Sequence, residues 1–359
     1  LKYLRSSDNL FSMSTQQQIA QRLGLSQAVV SSALNGKKKG VSQGTYDRIW
    51  EYSQKIGYRP KGMRMEIPAH RLKSGSIGFI LRSGLRLDNQ NAYFSQIQSG
   101  MCDYLGQKGI FPAFLGSEQT LDGDQLRRIE GVDGLVVFGQ VEPGFLEQLR
   151  KITPAIVVIS ASYPGRCHSI QPNEEQGAGL IVGHLWQLGH RRTGWAGGLA
   201  GRQRSSQRKE AFLAALERHQ QKIASRHIVE FSEASYRQGR EAAQHFLGLP
   251  TARRPTALLC FNSLMARAAV NHFLQCGVRV PEDICVASMD RTHVCLEDHP
   301  TLTSVGADPQ QMGMLAGQLV FDLMGDSGKI LYDALVPSTL EALESTCLGS
   351  RVGETAAAP

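Results

Sequence analysis

Ser14-Thr15-Gln16-Gln17-Gln18-Ile19-Ala20-Gln21-Arg22-Leu23-Gly24-Leu25-Ser26-Gln27-Ala28-Val29-Val30-Ser31-Ser32-Ala33-Leu34-Asn35-Gly36 reads as two short helices around a glycine turn. Thr15 is a hydroxyl residue at the N-cap, Ile19, Ala20 and Leu23 share one face, and Gly24 is the stop. Ser26 caps the second helix. There Val30, Ala33 and Leu34 follow i, i+3, i+4 and turn inward, leaving Gln27, Ala28, Ser31 and Ser32 outside. Asn35-Gly36 ends it. Val41-Ser42-Gln43-Gly44-Thr45 opens a third helix, with Ile49 and Trp50 apolar, running to about Ile56. Two helices about a glycine turn, closed by a third, is the helix-turn-helix pattern. In it the second helix enters the major groove with its N-terminal residues at base edges. The N-termini capped by Thr15, Ser26 and Ser42 offer N–H groups to phosphates, and Lys37, Lys38 and Lys39 add charge. The plain alternative is a generic three-helix bundle.

Charge is concentrated on the same stretch. The 359 residues carry 39 Lys+Arg and 32 Asp+Glu, a formal +7. Residues 1–61 hold ten bases and three acids, so they carry the whole excess and the remainder is neutral. A basic module on a neutral body points to a polyanion partner, most simply nucleic acid; a solubilising basic terminus is the bland reading. The length allows two or three domains. No run approaches the roughly 20 apolar residues of a membrane span, and Leu1-Lys2-Tyr3-Leu4-Arg5 lacks the pattern of a secretory signal. Seven scattered cysteines without a C-x-x-C pair suit a reducing compartment, and neither a zinc site nor a structural disulfide is expected. The expected location is cytoplasmic.

From Ile77 the pattern alternates between strands and helices. Apolar runs 77–81, 134–138, 155–159, 257–261 and 284–289 have the length of buried parallel strands. Helical stretches fall at 94–107, 176–188, 208–219, 235–247 and 263–276. This is βαβ architecture, and ligands of such sheets bind beyond the carboxyl ends of the strands. Arg82, Ser83, Tyr93 and Phe94 follow the first strand; the two aromatics could stack on a ring or pack in the core. Gly194-Trp195-Ala196-Gly197-Gly198-Leu199-Ala200-Gly201 is glycine-rich and reads as following a strand. It has neither G-x-G-x-x-G spacing nor a G-K-[ST] ending, so a nucleotide loop is not expected. Gly325-Asp326-Ser327-Gly328 matches a serine-protease segment only by chance. His184, His190, His245 and His272 form no base–nucleophile pair, and His190 reads as structural or solvated.

Ile19 to Ser26, Val29 to Gly36, Val41-Ser42 with Thr45, and Ile56-Gly57-Tyr58-Arg59-Pro60 resemble the headpiece of the LacI/GalR family of bacterial transcription regulators. The resemblance continues through Asn173-Glu174-Glu175, Leu188-Gly189-His190-Arg191-Arg192, Arg208, Pro255-Thr256-Ala257, Asn262, Gly277 to Asp283 and Pro300-Thr301-Leu302-Thr303, covering 14 to about 346. It implies an α/β protein: an all-α, lambda-repressor-like head (14–62), a hinge (63–76) and two periplasmic-binding-protein-like, doubly wound subdomains (77–346). Residues 1–13 would be an extension and 347–359 a tail, both poorly ordered. It also implies that Gln27 and Ala28, with Ser32 one turn on, read bases. The family usually has Arg or His at the Ser32 position, and Ser lacks the fork that Arg offers guanine. Asn35, Thr45 and Tyr58 join the DNA contacts by the same resemblance, and Ile67 becomes a minor-groove wedge, although Pro68 disfavours helical geometry there. Arg208, Asn262 and Asp290 fall where the family contacts its small molecule. Ser263 and Arg291 stand where the sugar-binding pattern has acids.

The reading is therefore a ligand-controlled repressor that binds a pseudo-palindromic operator as a homodimer. Its effector would be a sugar or sugar derivative, with no cofactor and no metal. A transport-type solute-binding protein and an enzyme using the cleft are the alternatives.

Overall fold

The structure is a computed structural model that describes residues 16–34, 41–55, 76–85, 92–325 and 330–346. The chain divides into two compact units, residues 1–69 and 70–359.

In the first unit α1 (Gln16–Leu23), α2 (Gln27–Leu34) and α3 (Gln43–Lys55) enclose a small core. Ile19, Val30, Ala33, Leu34 and Ile49 are fully buried, the inward positions that helical spacing predicts. Gly24 takes the left-handed conformation (φ +67°) that lets the chain turn between α1 and α2. Ser26 Oγ accepts from the Val29 N–H at 3.3 Å. Ser42 Oγ accepts from the Thr45 N–H at 3.3 Å and donates to Thr45 Oγ1 at 2.8 Å. Both serines thus occupy the capping role.

The second unit holds two sheets. The chain first lays down β1 (Ile77–Leu81), α4 (Ala92–Gln107), β2 (Ala113–Ser117), α5 (Gly123–Arg128), β3 (Gly134–Phe138), α6 (Pro143–Arg150), β4 (Ile156–Ile159) and β5 (His168–Pro172). It then crosses to a second subdomain. This comprises α7 (Glu174–Gln187), β6 (Thr193–Gly197), α8 (Gln203–Arg218), β7 (Ile228–Glu230), α9 (Tyr236–Leu247), β8 (Ala257–Cys260), α10 (Ser263–Gln275), β9 (Cys285–Ser288) and β10 (Thr303–Gly306). It returns to the first for α11 (Pro309–Gly325) and β11 (Asp333–Val336), and ends in the second as β12 (Thr339–Glu341). The sheet orders are β11-β5-β4-β3-β1-β2 and β12-β10-β9-β8-β6-β7. Among the described strands only β12 runs antiparallel to its neighbour.

The strands β1, β3 and β4 are buried along their whole length, as apolar runs covered on both faces by helices must be. Order reverses at β1 in one sheet and at β6 in the other, so each has a switch point where a crevice opens beyond the strand ends. The first subdomain is closed by α4 lying on α11 at backbone distance. A Cβ on Gly313 would stand 1.9 Å from the Ile97 carbonyl oxygen, and one on Gly100 would stand 2.0 Å from that of Gln310.

Most expected boundaries shift by one or two residues, and two segments differ by more. The helix predicted from Arg208 starts at Gln203, its first turn held by Ser205 Oγ donating to the Gly198 carbonyl at 2.7 Å and by Arg204 bonded to Glu174. The glycine-rich 194–201 segment does not follow a strand. Its first half is the end of β6, in which Gly194 and Gly197 sit against Pro255, Phe246 and the Trp195 ring.

Burial lowers the pKa of His168, His184 and His190 below 6.5, with His190 and Arg191 adding to the effect at His184 and His190 respectively. His184 Nε2 lies 2.8 Å from Thr346 Oγ1, and His190 Nδ1 lies 3.0 Å from Thr256 Oγ1. An imidazole held neutral when folded takes up a proton on unfolding, so stability present above 6.5 is lost as pH falls toward the depressed folded values. The melting temperature is expected to drop as buffers are taken below pH 6.5, and His184→Gln should flatten that slope. Gly313→Ala is expected to cost roughly 1–3 kcal/mol by forcing α4 from α11, read as an earlier denaturant midpoint.

Candidate functional site

The ends of the central strands of both sheets meet around a cavity of about 440 Å³. From the first subdomain come Arg82, Ser83, Tyr93, Phe94, Gly139, Gln140 and Ser160, which follow β1, open α4, or follow β3 and β4. From the second come Arg202, Arg204, Glu233, Phe261, Asn262 and Asp290. The size is that of a small-molecule pocket.

Behind the second subdomain's wall lies a buried ion network. Arg208, fully buried, donates from Nε to Glu174 Oε1 at 2.9 Å and from Nη2 to Asp290 Oδ1 at 2.6 Å. Its Nη1 donates to the Phe261 carbonyl, and its guanidinium lies 4.8 Å from the Phe261 ring centre. One turn earlier on α8, Arg204 reaches the same two carboxylate oxygens at 2.8 and 3.1 Å. Two cations therefore share two anions, which satisfies charges that would each be costly to bury alone. The Arg204 guanidinium also lies 4.1 Å from the Tyr93 ring centre, a cation–π contact between the subdomains. Tyr93 is itself buried. Burial raises its phenol pKa, and its hydroxyl lies 3.0 Å from Ser160 Oγ.

Further bonds tie the two walls together. The Gln203 N–H donates to Gln140 Oε1 at 2.8 Å, the Ser162 N–H to Gln203 Oε1 at 3.2 Å, and Arg202 Nη1 to the Gln140 carbonyl at 3.5 Å. Asn262 caps α10, accepting from the Met265 N–H at 2.8 Å and donating to the Ala234 carbonyl at 2.9 Å. Phe94 is stacked on Phe138 and edge-on to Tyr93, so the two aromatics serve core and cavity at once.

Of the residues singled out from sequence, Arg82, Ser83, Tyr93, Phe94, Asn262 and Asp290 are brought together on one cavity. Arg208 is not among the lining residues; it stands behind them and holds Asp290. Sequence reasoning missed Arg202 and Arg204. The signal was the i, i+4 pair Arg204 and Arg208, hidden because the helix was started at the second of them. In the head, Gln27 and Ala28 are exposed at the start of α2, and Ser31 and Ser32 are half-buried on its next turn. Thr15, Asn35, Lys37, Tyr58 and Ile67 lie outside the described residues.

A three-helix head and a two-subdomain body with a cleft define a class: regulators that couple a DNA-reading module to a ligand-binding one. Residues 182–346 match the periplasmic binding protein-like domain. The HTH-type transcriptional repressor PurR of Aliivibrio fischeri (strain MJ11) is 27% identical over 323 residues, which is 88% of this chain and 93% of that repressor. A LacI family transcriptional regulator from Mycobacterium smegmatis is 25% identical with TM-score 0.62, covering 76% of this chain and 99% of that one. The regulator CelR, solved with cellobiose, shares the fold at 19% identity and TM-score 0.66, over 92% of this chain and 99% of that one. Over most of its length the chain is thus similar to repressors and LacI family transcriptional regulators.

Replacing Arg208 by Met strips Glu174 and Asp290 of their fully buried partner. The expected loss is about 3–5 kcal/mol of folding stability, typical of breaking a buried pair, measured by chemical denaturation.

Proposed function

We propose that this protein is a cytoplasmic, non-enzymatic repressor that binds a pseudo-palindromic operator as a homodimer, and that a small molecule in the cleft controls that binding. The observation that carries this reading is the pairing, in one chain similar to repressors over most of its length, of a capped α2 with an exposed N-terminal face and a cavity built from both subdomains. Gln27 and Ala28 at the start of α2 take the base edges, with Ser31 and Ser32 a turn on. Ser42 and Thr45 open α3 toward phosphate. Thr15, Asn35, Lys37, Tyr58 and Ile67 complete the assigned DNA contacts by family resemblance.

In the body, Arg82, Ser83, Tyr93, Phe94, Asn262 and Asp290 face the effector, and Arg208 positions Asp290. A ligand touching both walls favours one angle between the subdomains, and it shifts the equilibrium only by its difference in affinity for the two arrangements. Self-association is supported by apolar side chains left exposed on both subdomains: Phe111 and Phe114 at edge strand β2, and Tyr236 and Leu274 on the packed pair α9 and α10. Patches of this kind suit a two-fold, self-complementary contact.

The full chain is expected to be retained on DNA-cellulose at low salt and released steeply as salt rises, whereas a chain starting at Gly75 should flow through. Equal retention of the two would remove the DNA-binding reading.

A further inference from the structure

The cavity carries more positive charge than its own carboxylates answer. Among the lining residues, Asp290 is already shared by Arg204 and Arg208, and Glu174 behind it by the same two. That leaves Arg82 and Arg202. Neither has an ion-pair partner among the described residues. Arg82 Nη1 donates to the Ser83 carbonyl at 2.8 Å, and Arg202 donates at 3.5 Å to that of Gln140. Each guanidinium has five N–H donors, so most remain for a ligand.

The two arginines flank one dipeptide. The Arg82 stem presses on Gly139, where a Cβ would stand 2.6 Å from Arg82 Cδ and where φ is +85°, and Arg202 reaches the next residue, Gln140. Arg82 follows β1 of the first subdomain; Arg202 caps α8 of the second. They therefore approach the same corner from opposite walls.

The backbone adds to this field. The N-cap residues of three helices, Arg202 of α8, Ser235 of α9 and Asn262 of α10, all line the cavity. None of the three helices has an acid in its first turn. Each brings the positive end of its dipole toward the same space. Glu233 is the one lining carboxylate outside the ion network. Consistent with a crowded cationic corner, burial and then the charges of Arg202 and Arg204 lower the Arg82 pKa to about 10, against a smaller opposing effect of Glu118.

We propose that the effector is a small hydroxylated acid whose oxyanion, carboxylate or phosphate, bridges Arg82 and Arg202 across the cleft. Glu233, Gln140 and Ser160 are then left to take its hydroxyls, and Tyr93 and Phe94 its carbon skeleton. The oxyanion does more than anchor the ligand. Without it, two like charges face each other and oppose closure. With it, each is attracted to a common centre, which gives the ligand its preference for the closed arrangement. This assignment deepens the regulator reading and rests on it for the word effector, but its chemistry can be tested separately.

The test uses the full chain and matched acid and neutral pairs: ribose 5-phosphate with ribose, glucose 6-phosphate and gluconate with glucose, and inorganic phosphate and sulfate alone. Binding is read by thermal shift and calorimetry. At least one acid is expected to bind, at least about tenfold tighter than its neutral parent, as charge-assisted bonds require. The phosphate and carboxylate members separate the two oxyanion sources. Arg82→Gln and Arg202→Gln should each weaken that acid by about tenfold to a hundredfold while leaving the ligand-free melting temperature near that of the parent chain. Arg82→Lys and Arg202→Lys should restore part of the loss. A neutral parent binding as tightly as its acid would overturn the proposal, as would no response to any acid or free anion, or an acid indifferent to both glutamine variants. DNA-cellulose retention reports on the regulator reading independently. Acid binding by a chain that does not hold DNA would leave the oxyanion site standing and remove only its regulatory role.

Discussion

The body depends on a shared pair of carboxylates. Glu174 begins α7, Asp290 follows β9, and both are satisfied by Arg204 and Arg208, one turn apart on α8. Four charges removed from water hold three elements in register only because each has two partners of opposite sign. The same arrangement sets what the cleft sees. Asp290 presents an oxygen already committed to cations, and Arg204 extends past it to lie on Tyr93 of the facing subdomain. The wall of the pocket and the contact between the subdomains are thus two sides of one electrostatic object.

Around it the two sheets repeat one solution. Each is parallel through its centre, each reverses order at its first laid strand, and each offers the carboxyl ends of its strands and the N-termini of its helices to a common space. The polar groups there are held from behind. Asn262 caps α10 while lining the cavity, Tyr93 meets Ser160, and Gln140 accepts from the first amide of α8. A ligand entering such a site meets groups whose orientation is already decided, which lowers the ordering cost of binding.

Much of this is legible in the amino-acid sequence alone. The inward positions Val30, Ala33 and Leu34 follow from helical spacing, and the runs 77–81 and 134–138 match β1 and β3 to the residue, because fully buried strands leave an unbroken apolar signature. What escaped had weaker signatures. β5 is His-Ser-Ile-Gln-Pro and β7 only three residues, polar or short segments that pair because their neighbours do. The first turn of α8, Gln203-Arg204-Ser205-Ser206 just after Gly201, reads as loop, so Arg202 and Arg204 stand out in no local pattern. Asp290 and Arg208 were named as ligand contacts through family resemblance, yet their relation to each other and to Glu174 is a matter of three-dimensional distance that no local pattern encodes. Resemblance named residues that share one cavity; packing shows that Arg208 stands behind its wall.

The chain passes between subdomains three times, after β5, after β10 and after β11, and so neither subdomain is a continuous piece of sequence. The first lacks α11 until residue 309 onward has been made, although Ile97, Met101 and Leu105 of α4 are buried in the core that α11 helps to close. During synthesis from the N-terminus, that apolar face is complete as sequence some two hundred residues before its cover exists. The second subdomain, whose elements from α7 to β10 are contiguous, has nearly all its core available first. Ribosomal order therefore favours the later-encoded half as the earlier to mature, with the two arms of the cleft acquiring their final form in the reverse of the order in which they are written.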